Sequence, residues 1–226
     1  MNSLNWSWDV IGSPILLSLQ IACIAGSLAF LLSIVIAMWM NRHTFVGKSI
    51  VETIFMLPLV LPPSVVGLLL LTILGRRSWI GQMAEWLTHQ SIVFSVTGAI
   101  IAATVVSFPL AYQTLKTGFA LVDKDVLESA RSQGASELQL LWYMILPLAW
   151  RSLVTGFVLA FARALGEFGA TLMVAGNIPG KTQTLPTAIY FAVDANNMPL
   201  AWSLTIITIL ISFILLLLTG RIRGSA

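Results

Sequence analysis

From Val10 to Asn41 the chain carries no charged side chain at all. A hydrocarbon layer about 30 Å thick is crossed by about 20 apolar residues, and inside it every backbone N–H and C=O must find its partner within the segment. A run of this length is therefore a membrane-crossing helix. Three further intervals are equally free of charge: Glu52 to Arg76, Glu85 to Lys116 and Asp194 to Arg221. The spans expected from these runs are 14–40, 51–74, 91–115 and 200–219. A fifth, 153–174, is apolar but contains Arg163 and Glu167. Composition agrees, since 58% of residues are hydrophobic and 9% charged, against about 45–50% and about 25% in soluble domains. The bilayer is the solvent for this chain, and the expected class is an all-α membrane protein with five transmembrane helices.

Basic residues give the expected orientation. Arg42, Lys48, Lys116, Lys124, Arg131, Arg151, Arg221 and Arg223 fall on one side of the spans, and Arg76, Arg77 and Lys181 on the other. The side richer in Lys and Arg is cytoplasmic by the positive-inside rule, which puts the N-terminus outside and the C-terminus in the cytoplasm of a prokaryotic cell. The net charge of +3 is explained by this placement and not by a nucleic-acid patch. The first run has no basic residues before it and exceeds the apolar core of a signal peptide, so it is expected to stay in the mature protein. Trp6, Trp8, Trp79, Trp86, Trp142, Trp150 and Trp202 lie near span ends, where interfacial aromatics belong. Cys23, the only cysteine, is expected to serve in packing. No linker or repeat divides the chain, so a single domain over 13–219 is expected.

Two spans are unusual. Pro58, Pro62 and Pro63 remove backbone donors from the second and should bend or break it. In the fourth, Gly156, Ala160 and Ala164, and likewise Ala162, Gly166 and Ala170, recur every four residues. Small faces of that kind let helices approach closely and place the span at the centre of the bundle. The longest polar connection, 116–146, has the marks of an ordered elbow. Asp125 with Glu128, and Ser136 with Gln139, are helix-start signals. Gly134 between them suits a left-handed turn, and Pro147 closes the second helix. Val126, Leu127 and Ala130 beside charge suit docking into another protein's groove; a helix lying on lipid is the alternative.

The elbow also carries a motif. Glu128-Ser129-Ala130, then Gly134, then Met144-Ile145-Leu146-Pro147 resembles the EAA motif of permease subunits in binding-protein-dependent ABC importers, with Ser129 for the first alanine and Met144 for the usual isoleucine. The stretches 57–67, 75–77, 161–171 and 177–182 resemble the molybdate permeases of that group, across the chain from first span to last. The resemblance implies a type I ABC importer transmembrane domain whose elbow is the cytoplasmic coupling-helix loop. Leu127, Glu128, Ser129, Ala130 and Gly134 would then dock a cytoplasmic ABC ATPase dimer, which binds the ATP and Mg while this chain holds no cofactor. It further implies a homodimer in the cytoplasmic membrane, an extracytoplasmic molybdate-binding protein as partner, and molybdate as cargo. Sulfate or tungstate share its charge and shape, and a secondary oxyanion transporter or an intramembrane enzyme are rival readings.

Other signals are weaker. The segment 175–182 fits a relaxed phosphate-loop pattern, but a phosphate loop follows a strand and opens a helix, whereas this one follows a span. Arg163 and Glu167 are one helical turn apart. They either line the pore, with Arg163 attracting an oxyanion, or form a structural pair; the cost of intramembrane charge demands one or the other. His43 and His89 lie on opposite sides with no ligand cluster, so neither a metal site nor a catalytic nucleophile is expected.

Overall fold

The computed structural model describes residues 8–224, and every regular element among them is helical. Three helices cross a membrane's thickness unaided: α1 (Trp8–Arg42), α5 (Val96–Ala120) and α12 (Met198–Gly224). At 1.5 Å per residue the 35 residues of α1 extend about 52 Å, well beyond the apolar layer. The expected span at 91–115 is shifted in the structure. Ser95 caps α5 by accepting the Gly98 N–H, and the helix continues past Lys116 to Ala120.

The second span is broken at the prolines. α2 (Lys48–Val60) and α3 (Pro63–Leu74) meet at a bend of 112°. Pro58 stays inside α2, but the residues before Pro62 and Pro63 leave the helical region, Leu61 and Pro62 having ψ of 142° and 137°. Pro63 then opens α3, where its missing N–H costs nothing.

The fourth span, expected to be continuous over 153–174, is broken as well. α9 (Trp150–Leu165) stops, residues 166–168 turn, and α10 (Gly169–Ala175) follows. A tertiary contact sits at this break. A Cβ on Gly169 would lie 2.6 Å from the Cβ of Pro63, so the two interrupted helices meet at their breaks through a contact that only glycine permits. Beyond the breaks α3 and α10 run together, with Val66, Ala170 and Val174 buried in one cluster.

Two shorter helices lie outside every expected span: α4 (Trp79–Thr88) and α11 (Leu185–Asp194). Thr184 and Thr187 cap the start of α11, and the buried Leu185 N–H donates to Ser18 Oγ of α1 at 2.6 Å. That contact fixes one end of the molecule, called the far end, where Leu185 and Leu204 cluster with Ile11 and Ile15. At the opposite end Met40, Leu115, Phe119 and Ile145 pack together. α1, α5 and α12 therefore run from the far end to this one, and the broken pairs run back.

The centre of the bundle is made of small residues. Ala22, Ala25, Ala29, Ala99 and Ala103 of α1 and α5 are fully buried against α9, and Gly156, Ala160 and Ala164 are buried on its face as expected. The second face divides across the break, since Gly166 is exposed while Ala170 is buried. Large apolar side chains cover the outside instead, including Leu28, Leu31 and Val35 on α1 and Ile206, Leu210 and Phe213 on α12. In water such patches would drive association; in lipid they are the solvated surface. Cys23, expected to be packed, lies on this exposed face. α2 has no buried residue, and Phe55 holds it by edge contacts with Phe108 and Tyr112 of α5 at 5.6 and 5.5 Å. The expected interfacial residue Trp6 lies outside the described residues, whereas Trp79, Trp86, Trp142 and Trp202 are exposed.

The elbow is ordered. It comprises α6 (Lys124–Ser132), α7 (Glu137–Leu140), a π turn (Leu141–Ile145) and α8 (Leu146–Leu148), after which the chain bends 78° at Ala149 into α9. The first start signal is displaced: Asp123, not Asp125, caps α6 by accepting the Asp125 N–H, leaving Asp125 and Glu128 inside the helix. The second holds, with Ser136 and Gln139 capping each other reciprocally. Gly134 has φ of +89°; its N–H bonds the Arg131 carbonyl and the next N–H bonds Ala130, the paired closure of a Schellman turn. Pro147 has no N–H for the carbonyl four residues back, and a π turn, with Leu146 donating to Leu141, occupies the segment just before it.

Candidate functional site

Two places hold the residues singled out in the sequence. The first is the break between α9 and α10. Arg163 ends α9, and its Nη1 donates to Glu167 Oε2 at 2.8 Å. The other carboxylate oxygen, Oε1, accepts the Ala170 N–H at 2.9 Å and so caps α10. Both carboxylate oxygens of Glu167 are thereby bonded and its side chain is 2% exposed, whereas that of Arg163 is 26% exposed. A buried carboxylate is retained only when paired and hydrogen-bonded, and here the break supplies one partner and α9 the other. A guanidinium has five N–H donors. Among the described residues only Glu167 engages Arg163, so the pair is neutral as a whole while guanidinium N–H donors remain unbonded. Phe168, in the same break, lies 5.3 Å from the Tyr190 ring of α11.

The second place is the elbow. Glu128, Ser129 and Gly134 are exposed, and Leu127 and Ala130 are half-buried. Leu127 faces inward and packs with the cluster around Met40, Phe119 and Ile145. Glu128 lines the same cavity as Leu127, Phe119, Arg131 and Glu137, and Ser129 is exposed. Gly134, Ala130, Gln139 and Tyr143 line a separate cleft of about 380 Å³ between the two elbow helices. The five residues lie close along the chain but divide: Leu127 packs against the bundle, Glu128 lines the cavity beside it, Ala130 and Gly134 line the other cleft, and Ser129 is exposed.

Charges fasten it further. Glu137 pairs with Arg42 at the end of α1 and with Arg131 Nε of α6 at 2.8 Å, tying three elements together. The hydrogen bond from Arg131, with added attraction from Arg42, holds the Glu137 carboxyl below the usual carboxylate range. The spacing of Glu137 in the sequence gave no sign of this, because Arg42 is remote along the chain. A second link was equally hidden: Lys116 Nζ of α5 lies 2.7 Å from Glu52 Oε1 of α2. In the sequence both residues serve merely as the charged ends of apolar runs.

His43 stacks on Trp39 near the elbow, and His89 ends α4 at the other end of the molecule. Among the described residues no three His, Cys, Asp or Glu side chains stand close enough to hold a metal ion. The segment resembling a phosphate loop follows α10 and turns at Gly176 and Gly180. Its Thr182 hydroxyl is already used, accepting the Ile178 N–H at 3.0 Å.

Residues 24–223 match the family described as Binding-protein-dependent transport system inner membrane component. The chain belongs to that family. It is a multi-pass inner-membrane component of a transport system, and not an enzyme. It is 52% identical over 204 residues to the permease protein YvgM of Bacillus subtilis, covering 90% of each chain. It is 40% identical over 207 residues to the molybdenum transport system permease protein ModB of Escherichia coli K12, covering 91% of this chain and 90% of ModB. The fold matches a chain from the MetNI methionine ABC transporter solved in inward-facing conformations, with a TM-score of 0.75, 15% identity and full coverage of both chains. The family member described here therefore has the fold of a type I ABC importer transmembrane domain.

Proposed function

We propose that this chain is the permease of an ATP-driven importer, that two copies enclose the pathway, and that the cargo is molybdate. The observation that carries the coupling role is the elbow, whose outer face leaves Ser129 and Gly134 exposed and an open cleft at Ala130 and Gly134, while Leu127 and Glu137 fasten it to the bundle. A structure so fastened transmits force instead of absorbing it. A cytoplasmic ATPase dimer gripping the outer face moves α9 through the corner at Ala149, and α9 leads directly to the break where Gly169 touches Pro63. Relative motion of the two breaks opens the path to either side in turn. An external binding protein supplies the anion, in keeping with the binding-protein-dependent family.

The 40% identity to ModB supports molybdate as the cargo. Glu167 acts as the structural member of the intramembrane pair, and Arg163 is the side chain that meets the oxyanion in transit. One guanidinium with an occupied neighbour attracts a dianion without trapping it, as release requires. The N-terminus and far end face outside, and the elbow faces the cytoplasm.

Uptake of molybdate, tungstate and sulfate in competition, in cells lacking the chain and restored with it, tests this reading. Molybdate uptake should require both the chain and its ATPase. Uptake that survives replacement of 123–136 by a Gly-Ser linker would sink the coupling role, and sulfate winning the competition would reassign the cargo. For orientation, a cysteine placed at Ser129 in a Cys23→Ala background should react with impermeant reagent only after the cells are opened.

A further inference from the structure

The far end holds a feature that transport of a small anion does not use. α4 exposes Trp79, Met83, Trp86 and Leu87, which at 3.6 residues per turn form a single stripe, and the four are among the most exposed large side chains of the molecule. Its opposite face is pressed onto the end of α3: Gly81 is buried, and a Cβ there would lie 2.2 Å from the Gly75 carbonyl. Beside it, a cleft of about 830 Å³ lies between the last turn of α3 and residues 90–95. Leu71, Val93 and Phe94 give the cleft an apolar wall, and Arg76 and Arg77 stand at its mouth. Arg76 is held only at 3.6 Å from Glu85, and both groups are open to solvent; among the described residues Arg77 has no ion-pair partner. Below the cleft the exposed Leu68, Leu69 and Ile73 of α3 continue the apolar surface.

We infer that this cleft binds an anionic phospholipid, with the phosphodiester against Arg76 and Arg77 and an acyl chain along Leu71 and Phe94. The occupant is identified by charge and by continuity. A free oxyanion would answer the arginines but not the apolar wall, and a neutral lipid would answer the wall but not the arginines. Tryptophan flanking the site matches the headgroup level of a bilayer, where its ring is half apolar and half polar. An amphipathic helix with such a stripe lies in the interface plane, so α4, which joins the two segments that wall the cleft, holds its mouth at headgroup level.

The test uses the full chain in nanodiscs and spin-labelled lipids. Phosphatidylglycerol should associate in preference to phosphatidylcholine. Arg76→Ala and Arg77→Ala should each lower that preference by about fivefold, since a basic side chain near an anionic surface contributes on that scale. Trp79→Ala with Trp86→Ala should weaken both lipids alike. Inorganic phosphate or molybdate, added at concentrations matching the lipid, should not displace the label. Equal association of the two lipids with the unaltered chain would overturn the inference without any variant having to fold. So would a preference untouched by the arginine changes, leaving the stripe to a second copy or a protein partner. Displacement by the free anions would likewise replace the lipid with a small-oxyanion site.

Discussion

The elbow and the helix break each rest on a glutamate held by arginine, yet the two carboxylates live in different media. Glu137 is half exposed and bridges Arg42 and Arg131 across the surface, where water and salt weaken every charge. Glu167 is almost fully enclosed, and Arg163 and the Ala170 N–H take the place of water entirely. The same pair of residue types therefore serves as a removable fastening at one end and as part of the frame in the middle. Loss of the buried partner leaves an uncompensated charge, whereas loss of the exposed one leaves a hydrated side chain.

This contrast sets the order of expected effects. Glu167→Ala removes both the pair and the cap of α10, and should cost about 3–5 kcal/mol, read as a fall in thermal unfolding temperature in detergent; a change too small to detect would erase the distinction. Glu167→Gln keeps an oxygen for Ala170 and should recover part of that loss. Gly169→Ala should cost about 1–3 kcal/mol in the same assay, because its new Cβ meets the fixed ring of Pro63. Gly134→Ala meets no atom within 4 Å, so only the left-handed backbone is strained, by about 1–2 kcal/mol. Its effect should appear in retention of the ATPase during purification more than in unfolding of the bundle.

The smallest effect belongs to Glu137. Its carboxyl is held below the ordinary range in the folded chain by Arg131 and then Arg42, so its contribution is complete above the unfolded value and is lost as pH falls through the folded one. The distance between spin labels on α1 and α6 should thus be constant from pH 8 to pH 5 and lengthen only below about pH 4. Glu137→Gln should give the lengthened distance at every pH. If it does not, the apolar packing of Leu127 and Ile145 holds the elbow without it.

Local chemistry was readable from the chain, and long-range chemistry was not. Ser136 with Gln139 and the glycine at 134 are complete within a few residues, and each formed as expected. The prolines broke the second span for the same reason, since their missing donors need no neighbour to act. Asp123 took the capping position from Asp125 because two acids so close are equivalent until the preceding helix decides where it ends. The break at 166–168 was hidden because Gly166 and Gly169 look like packing residues in any membrane helix, and the close contact Gly169 makes at the break is with Pro63, about a hundred positions away. α4 escaped notice for a related reason: its stripe of Trp79, Met83, Trp86 and Leu87 merges with the apolar run that follows. At the candidate site the nearness of Arg163 and Glu167 followed from spacing, whereas the division of labour between them depends on the Ala170 N–H that only the break exposes.

The near right-angled corner at Ala149 has one more consequence. A crank of this shape turns a shove parallel to the membrane surface into travel of the rod that stands upright in it. If an ATPase grips the elbow as proposed, stroke length is set by how stiff the corner is, and a hinge there would let the motor spin without moving the load.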